Sequence, residues 1–288
     1  MIRSELQSLL KRVYLNGIND YVTIQFINND SIVSASFTTS GSVMYGQVAG
    51  TITGLPTSTI VINNINETIN VLNAFSEQIV TQYGSNYLSI YDIGSDLPLV
   101  LNLELASLSF PNPIKLPEEI QIERLPVEGG FLPLLPAAPE DEVGEPPQLD
   151  FDKIYFDCTG SNNFINSFLS ASGWITSSTI SFDIGVDLSN NRAEYITINS
   201  ASFNSNNYIT NDEIRFNLHN HLITSSLSVA QVNSLSGSKY SFNEFKNVLD
   251  ANKDNTYARF SIERYGRFLK CYFEDGVFNS SYYLVRIV

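Results

Sequence analysis

The chain has 288 residues, 43% of them hydrophobic and only 16% charged, with a formal net charge of −14. That length suits two domains or one large β-domain. The acidity excludes a nucleic-acid binder that works through a globally basic surface, while leaving room for a small basic patch on an acidic body. Asn, Ser and Thr carry much of the polarity, which favours β-structure over long Glu- and Lys-rich surface helices.

In chain order, residues 4–15 read as a helix. Leu6, Leu9, Leu10 and Val13 form its apolar stripe and Asn16-Gly17 ends it. Strands are predicted over 21–27, 32–38 and 43–49, separated by Asn28-Asn29-Asp30 and Ser40-Gly41-Ser42, and again over 58–62. Helical spacing returns over 65–80, with Ile65, Ile69, Leu72 and Phe75 on one face. Strands follow over 87–91 and 97–105.

Residues 108–150 break the pattern. Nine of the eleven prolines lie here, together with nine acids against only Lys115 and Arg124. Proline fixes φ and removes donors, so no regular element is expected, and the stretch reads as an interdomain connector. Within it, Phe131-Leu132-Pro133-Leu134-Leu135 is apolar enough to dock on a surface.

The pattern then restarts. A strand over 153–157 precedes a helix over 163–172, and strands follow over 175–186, 194–203 and 214–222. Residues 227–235 fit strand or helix. Phe242, Phe245, Val248 and Leu249 share one face of a helix opened by Ser241, with Glu244 completing a capping box. Strands over 257–262, 268–273 and 282–287 close the chain, with turns at Tyr265-Gly266 and Asp275-Gly276. Each half reads helix, strands, helix, strands, a tandem order without residue identity. The expected fold is α+β: two tandem domains, 1–107 and 151–288, each with two helices packed on antiparallel sheets, joined by the connector 108–150.

Catalytic and metal signatures are weak. His219-Asn220-His221 places two imidazoles on one side of a strand, but no third ligand is evident. Asp183 with Asp187 and Asp250 with Asp254 lack the Gly and Glu of a calcium loop. There is no Walker loop, dinucleotide fingerprint or Gly-x-Ser-x-Gly elbow. Trp174 follows a helix-ending Gly173 and reads as core. Two cysteines, Cys158 and Cys271, are too few for a disulfide scaffold. No leader peptide and no apolar membrane span is apparent, so a soluble, cytoplasmic protein is expected.

With that element order in hand, the chain resembles the DNA sliding clamps, the processivity factors of replicative polymerases, and among them the bacteriophage type. Leu6-Gln7-Ser8-Leu9-Leu10-Lys11-Arg12-Val13 is similar to their first helix. The strand over 97–105 followed by Phe110-Pro111 resembles the end of their first domain. Glu274-Asp275-Gly276 and Ser281-Tyr282-Tyr283-Leu284-Val285 resemble their acidic turn and last strand. The resemblance covers both halves but not the Pro/Glu-rich connector.

The resemblance implies a homotrimeric ring of two-domain subunits, with helices lining a hole for duplex DNA and sheets forming the outer wall. Edge strands would pair across subunit boundaries. Such a ring is not an enzyme and needs no cofactor. It holds double-stranded DNA non-specifically, through its backbone. The residues implied to face DNA are Arg3, Lys11 and Arg12 on the first helix and Lys246 and Lys253 on the last. The other two helices carry no cation. DNA polymerase and clamp loader would dock short peptide tails in an apolar cleft formed by Leu134, Leu135, Leu284, Ile287 and Val288. The implied setting is DNA replication in the cytoplasm, that of the host cell for a viral protein. Composition alone also fits a virion structural or adhesion protein with two β-rich domains, but sandwiches rarely need two helices per half.

Overall fold

The structure, a computed structural model, describes residues 3–26, 32–38, 44–52, 57–94, 99–105, 149, 151, 154–159, 163–173, 178–187, 192–203, 209–217, 222–224, 238–263 and 266–287. Helix α1 (Arg3–Tyr14) buries Leu6, Leu9, Leu10 and Val13, the stripe expected from its spacing. It ends in a short 3-10 turn, Leu15–Gly17, where Asn16 (φ 54°) and Gly17 (φ 99°) take the left-handed conformation that these two residue types tolerate best. Strands β1 (Val22–Phe26), β2 (Ile32–Thr38), β3 (Met44–Thr51) and β4 (Ser58–Ile62) follow.

Helix α2 (Ile65–Leu72) is capped by Asn64, whose side chain accepts from the Glu67 N–H at 2.9 Å. It is half the length its spacing predicts. Beyond Leu72 the chain turns: the Ala74 and Phe75 N–H groups reach back only three residues, and Ser76 donates to Asp92. The β-branched run then forms β5 (Ile79–Tyr83). Phe75 is buried by the turn and not by a helix, so its apparent helical period with Leu72 is coincidental. Strands β6 (Tyr87–Asp92) and β7 (Val100–Leu105) complete the first half.

The second half contains β8 (Ile154–Thr159), α3 (Asn163–Ser172), β9 (Thr179–Asp187), β10 (Arg192–Phe203), β11 (Ile209–Asn217), β12 (Leu222–Thr224), β13 (Lys239–Ser241), α4 (Phe242–Ala251), β14 (Tyr257–Ile262), β15 (Phe268–Glu274) and β16 (Phe278–Val285). The strand predicted over 214–222 is therefore the end of β11 and the start of β12. β13 is too short to leave an alternating signal and was not expected. Ser241 caps α4 as predicted, accepting from the Glu244 N–H at 3.4 Å. The return bond of the capping box is not made; Oε2 of Glu244 is buried without a partner, and burial raises that carboxyl's pKa. The connector from 106 to 148, Trp174, His219 to His221 and residues 227–235 lie outside the described residues. No helix among the described residues is long and apolar enough to cross a membrane.

Two antiparallel sheets carry the helices. One has twelve strands in the order β12-β8-β14-β15-β16-β3-β2-β1-β4-β7-β6-β5; the other runs β11-β10-β9-β13. The halves repeat a plan. The order β3-β2-β1-β4 recurs as β11-β10-β9-β13, and β7-β6-β5 recurs as β16-β15-β14. Among the described residues each half lays two helices on its sheets, as the sequence led us to expect.

The halves meet at a continuous seam. β3 pairs with β16 from Gly50↔Phe278 to Met44↔Leu284. Two glycines make room for it: a Cβ on Gly46 would lie 2.2 Å from the Phe37 ring, and one on Gly50 would lie 2.3 Å from that of Phe278. On the helix side, Phe37 packs on Tyr282 with ring centroids 6.2 Å apart. Tyr282 donates to the Arg12 carbonyl at 3.0 Å and accepts from Asn252 at 3.1 Å, and burial pushes its phenol up to about 12.

Candidate nucleic-acid interface and partner surface

The four helices lie side by side on one face of the sheets, with α2 beside α1, α1 beside α4, and α4 beside α3. Their apolar stripes join the main core, and their other faces form a polar layer. All five cations expected to face DNA belong to this layer in sequence, but they meet different fates.

Lys11 is exposed and has no ion pair among the described residues. Lys246 is half-buried on α4. Lys253 is exposed and pairs with Asp250 at 3.1 Å. Asn16 also donates to Asp250, at 2.7 Å, across the boundary between the halves. Burial pulls the Asp250 carboxyl up, but the bonds from Asn16 and Lys253 outweigh it and hold it below its ordinary value. Arg3 is committed locally: it bonds the Phe75 carbonyl at 2.7 Å and Glu77 at 3.1 Å. Glu77 in turn accepts from the hydroxyl and N–H of Ser4, capping α1, and chiefly the hydroxyl bond keeps its carboxyl below the usual range.

Arg12 departs from the expectation. It is only 5% exposed. Its guanidinium pairs with Asp275 in the β15–β16 turn and lies over the Phe278 ring, 5.3 Å from the centroid. Burial alone would raise the Asp275 carboxyl, but the N–H groups of Phe278 and Val277 and the Arg12 charge hold it low. Arg12 therefore clamps one half of the chain to the other instead of facing solvent.

The residues expected to form the partner cleft also divide. Leu284 is fully buried on the helix side of β16. Ile287 is half-exposed and its N–H donates to Lys239 at 2.7 Å, bridging to β13. Leu134, Leu135 and Val288 lie outside the described residues. The opposite face of the seam carries a separate apolar cluster that sequence reasoning missed: Phe151, Phe268 and Tyr283 with Tyr45, Leu149 and Val285. Phe151 meets Tyr283 edge-on at 5.7 Å, and the Lys270 ammonium lies 5.5 Å and 5.3 Å from those two rings. Strand parity was the available signal. In Tyr282-Tyr283-Leu284-Val285 alternate residues face opposite sides, so Leu284 and Tyr283 cannot share a surface.

The two strands of the seam have counterparts with open edges. β16 is paired along one side by β15 and along the other by β3. Its counterpart β7 is paired by β6, but on the other side β4 reaches only Glu104 and Leu105. Leu99 and Val100, at the open end, are exposed apolar residues. A cleft of about 330 Å³ opens there between β7 and the start of α2, lined by Asn64, Glu67, Val71, Leu101, Leu103 and Glu104 among others. The counterpart of β3 is β11, an edge strand of the four-stranded sheet.

No family model and no curated protein sequence matches the chain. Its fold does match solved structures. Proliferating Cellular Nuclear Antigen from Entamoeba histolytica aligns with a TM-score of 0.60 at 8% identity, over 100% of this chain and 96% of that one. PCNA from Thermococcus kodakaraensis aligns with a TM-score of 0.58 at 13% identity, over 99% and 97%. The likeness is one of fold and spans the whole chain.

Proposed function

We propose that this sliding-clamp fold acts as a DNA sliding clamp of a replication system, bacteriophage in type, that encircles duplex DNA and tethers its polymerase. The observation that carries the reading is the repeated plan with its seam. Inside the chain, β3 of one half joins β16 of the other. The same two positions are occupied by β11 and β7, and these have open edges. A second copy can therefore add its β11 to the Val100–Leu103 edge of β7 as β3 adds to β16. Such a contact is head-to-tail and closes into a ring when the rotation per copy divides a full turn. Three copies would give a six-domain ring with the helical layers inside.

The reading assigns no chemistry to the chain and needs no cofactor. The domains would be 1–107 and 151–288, with 108–150 connecting them outside the ring. Polymerase and loader tails would dock on the outer face of the seam, around Tyr45, Phe268 and Tyr283, with Leu134, Leu135, Ile287 and Val288 kept as the contacts that the resemblance implies.

The test is solution mass by light scattering over a dilution series, on the wild type and on Asn102→Pro. Proline in β7 removes a ladder donor and cannot sit within a paired strand. A mass near three chains, reduced to one chain by Asn102→Pro with the fold retained by circular dichroism, is expected. A wild-type chain that stays monomeric when concentrated on nicked circular DNA, and is not retained on that circle, would overturn the reading in favour of a β-rich structural or adhesion protein.

A further inference from the structure

The helical layer is unusual in how little charge it presents. The chain has 16 Lys and Arg in all, and five fall on the layer: Arg3, Lys11, Arg12, Lys246 and Lys253. Five carboxylates, Glu5, Glu67, Glu244, Asp250 and Asp254, fall there too. The layer is thus neutral within a chain of net charge −14. The cations are mostly spent: Arg12 on Asp275, Arg3 on Glu77, Lys253 on Asp250. The acids are partly withdrawn as well, while Glu67 and Asp254 stay exposed. Glu5 and Glu244 each bury a carboxylate oxygen, Asp250 is bonded by Asn16 and Lys253, and Glu67 accepts from Asn64. What stands in solvent is largely amide and hydroxyl: Asn66 and Asn70 on α2, Asn166, Ser167 and Ser170 on α3, and Asn243 on α4.

We infer that this layer meets the DNA backbone largely through neutral carboxamide and hydroxyl groups, with Lys11 and Lys246 its only cations outside an ion pair, so that its contact depends only weakly on salt. The inference rests on the clamp reading for its ligand and goes beyond it in the nature of the contact. Asn and Ser side chains also donate to phosphate oxygens, more weakly than Lys does. They displace no condensed counterion, so they add nothing to the salt dependence. Most acids of the chain lie elsewhere, nine of them in the connector, so the layer adds no net repulsion of its own to a polyanion. Neutral bonds of this kind exchange with water at every step along the backbone, which suits a surface that must slide and not grip.

The experiment is a fluorescence titration of a short duplex with the full chain between low and physiological salt. Two lysines predict a slope of log K against log salt of about −2 per bound chain. Lys11→Gln should flatten it by about 1, and Lys11→Gln with Lys246→Gln should bring it near zero. Asn70→Ala with Asn166→Ala should weaken binding at every salt concentration without changing the slope, whereas Asn166→Lys should tighten binding and steepen the slope by about 1. A wild-type slope steeper than about −4, a slope unmoved by the two glutamines, or no binding even at low salt overturns the inference. Retention on circular against linearised DNA is scored separately. Its loss with the predicted slope intact would sink encirclement and leave the neutral contact standing.

Discussion

Replacing Arg12 by Met tests whether the seam depends on the buried ion pair. Met fills the space of the arginine stem but carries no charge. Breaking a fully buried pair from one side costs about 3–5 kcal/mol. Asp275 is not fully buried: its side chain is 21% exposed, and it keeps the N–H groups of Val277 at 2.9 Å and Phe278 at 2.7 Å. The loss should therefore be nearer about 2 kcal/mol, with up to about 1 kcal/mol more for the guanidinium over Phe278. At an m-value of about 3 kcal/mol/M, the urea midpoint should fall by about 0.7–1 M. The effect must also depend on pH in one direction. The folded carboxyl of Asp275 is held below its unfolded value, so its contribution is present above about pH 4 and fades as pH falls through the folded pKa. The gap between wild type and Arg12→Met should therefore narrow from neutral pH to about pH 3. A midpoint shift under about 0.2 M, or a gap that is the same at both pH values, would refute the reasoning.

A second ion pair offers a cleaner cycle. Glu263 and Arg267 are 0% and 3% exposed and bond at 2.7 Å and 3.1 Å, holding the turn between β14 and β15. Glu263→Ala should cost about 3–5 kcal/mol in urea unfolding, while Glu263→Met with Arg267→Met should recover to within about 1 kcal/mol of wild type. An additive double mutant would show that the pair does not act as a unit. The thiols should be inert in the native chain. Burial, with Asp157 adjacent, pushes Cys158 up to about 12, and burial raises fully enclosed Cys271 well above its ordinary value. A thiol reagent at mildly alkaline pH should label neither until urea is added, and prompt labelling of native Cys158 would contradict its raised pKa.

Sequence showed what is local. Leu6, Leu9, Leu10 and Val13 sit on one helical face, Asn16-Gly17 stops the helix, Ser241 starts another, and the strand over 257–262 falls where alternation put it. The tandem order was legible because each element carries its own period. What failed depended on distant partners. Arg12 looks like any surface cation on α1, because its carboxylate lies 263 residues away. Phe75 mimics a continued helix because a turn can bury a residue three positions on as well as a helix can. The apolar cluster across the seam draws on Tyr45, Phe151, Phe268 and Tyr283, four segments that only the β3–β16 pairing brings together.

That pairing separates two properties that most two-domain chains combine. The covalent path between the halves leaves after Leu105 and returns at Leu149, whereas the mechanical joint is the hydrogen-bonded ladder of β3 and β16 with Arg12 and Tyr282 behind it. The joint does not need the tether to hold its register. Insertions, deletions or a severed peptide bond in the connector would leave the two halves one particle.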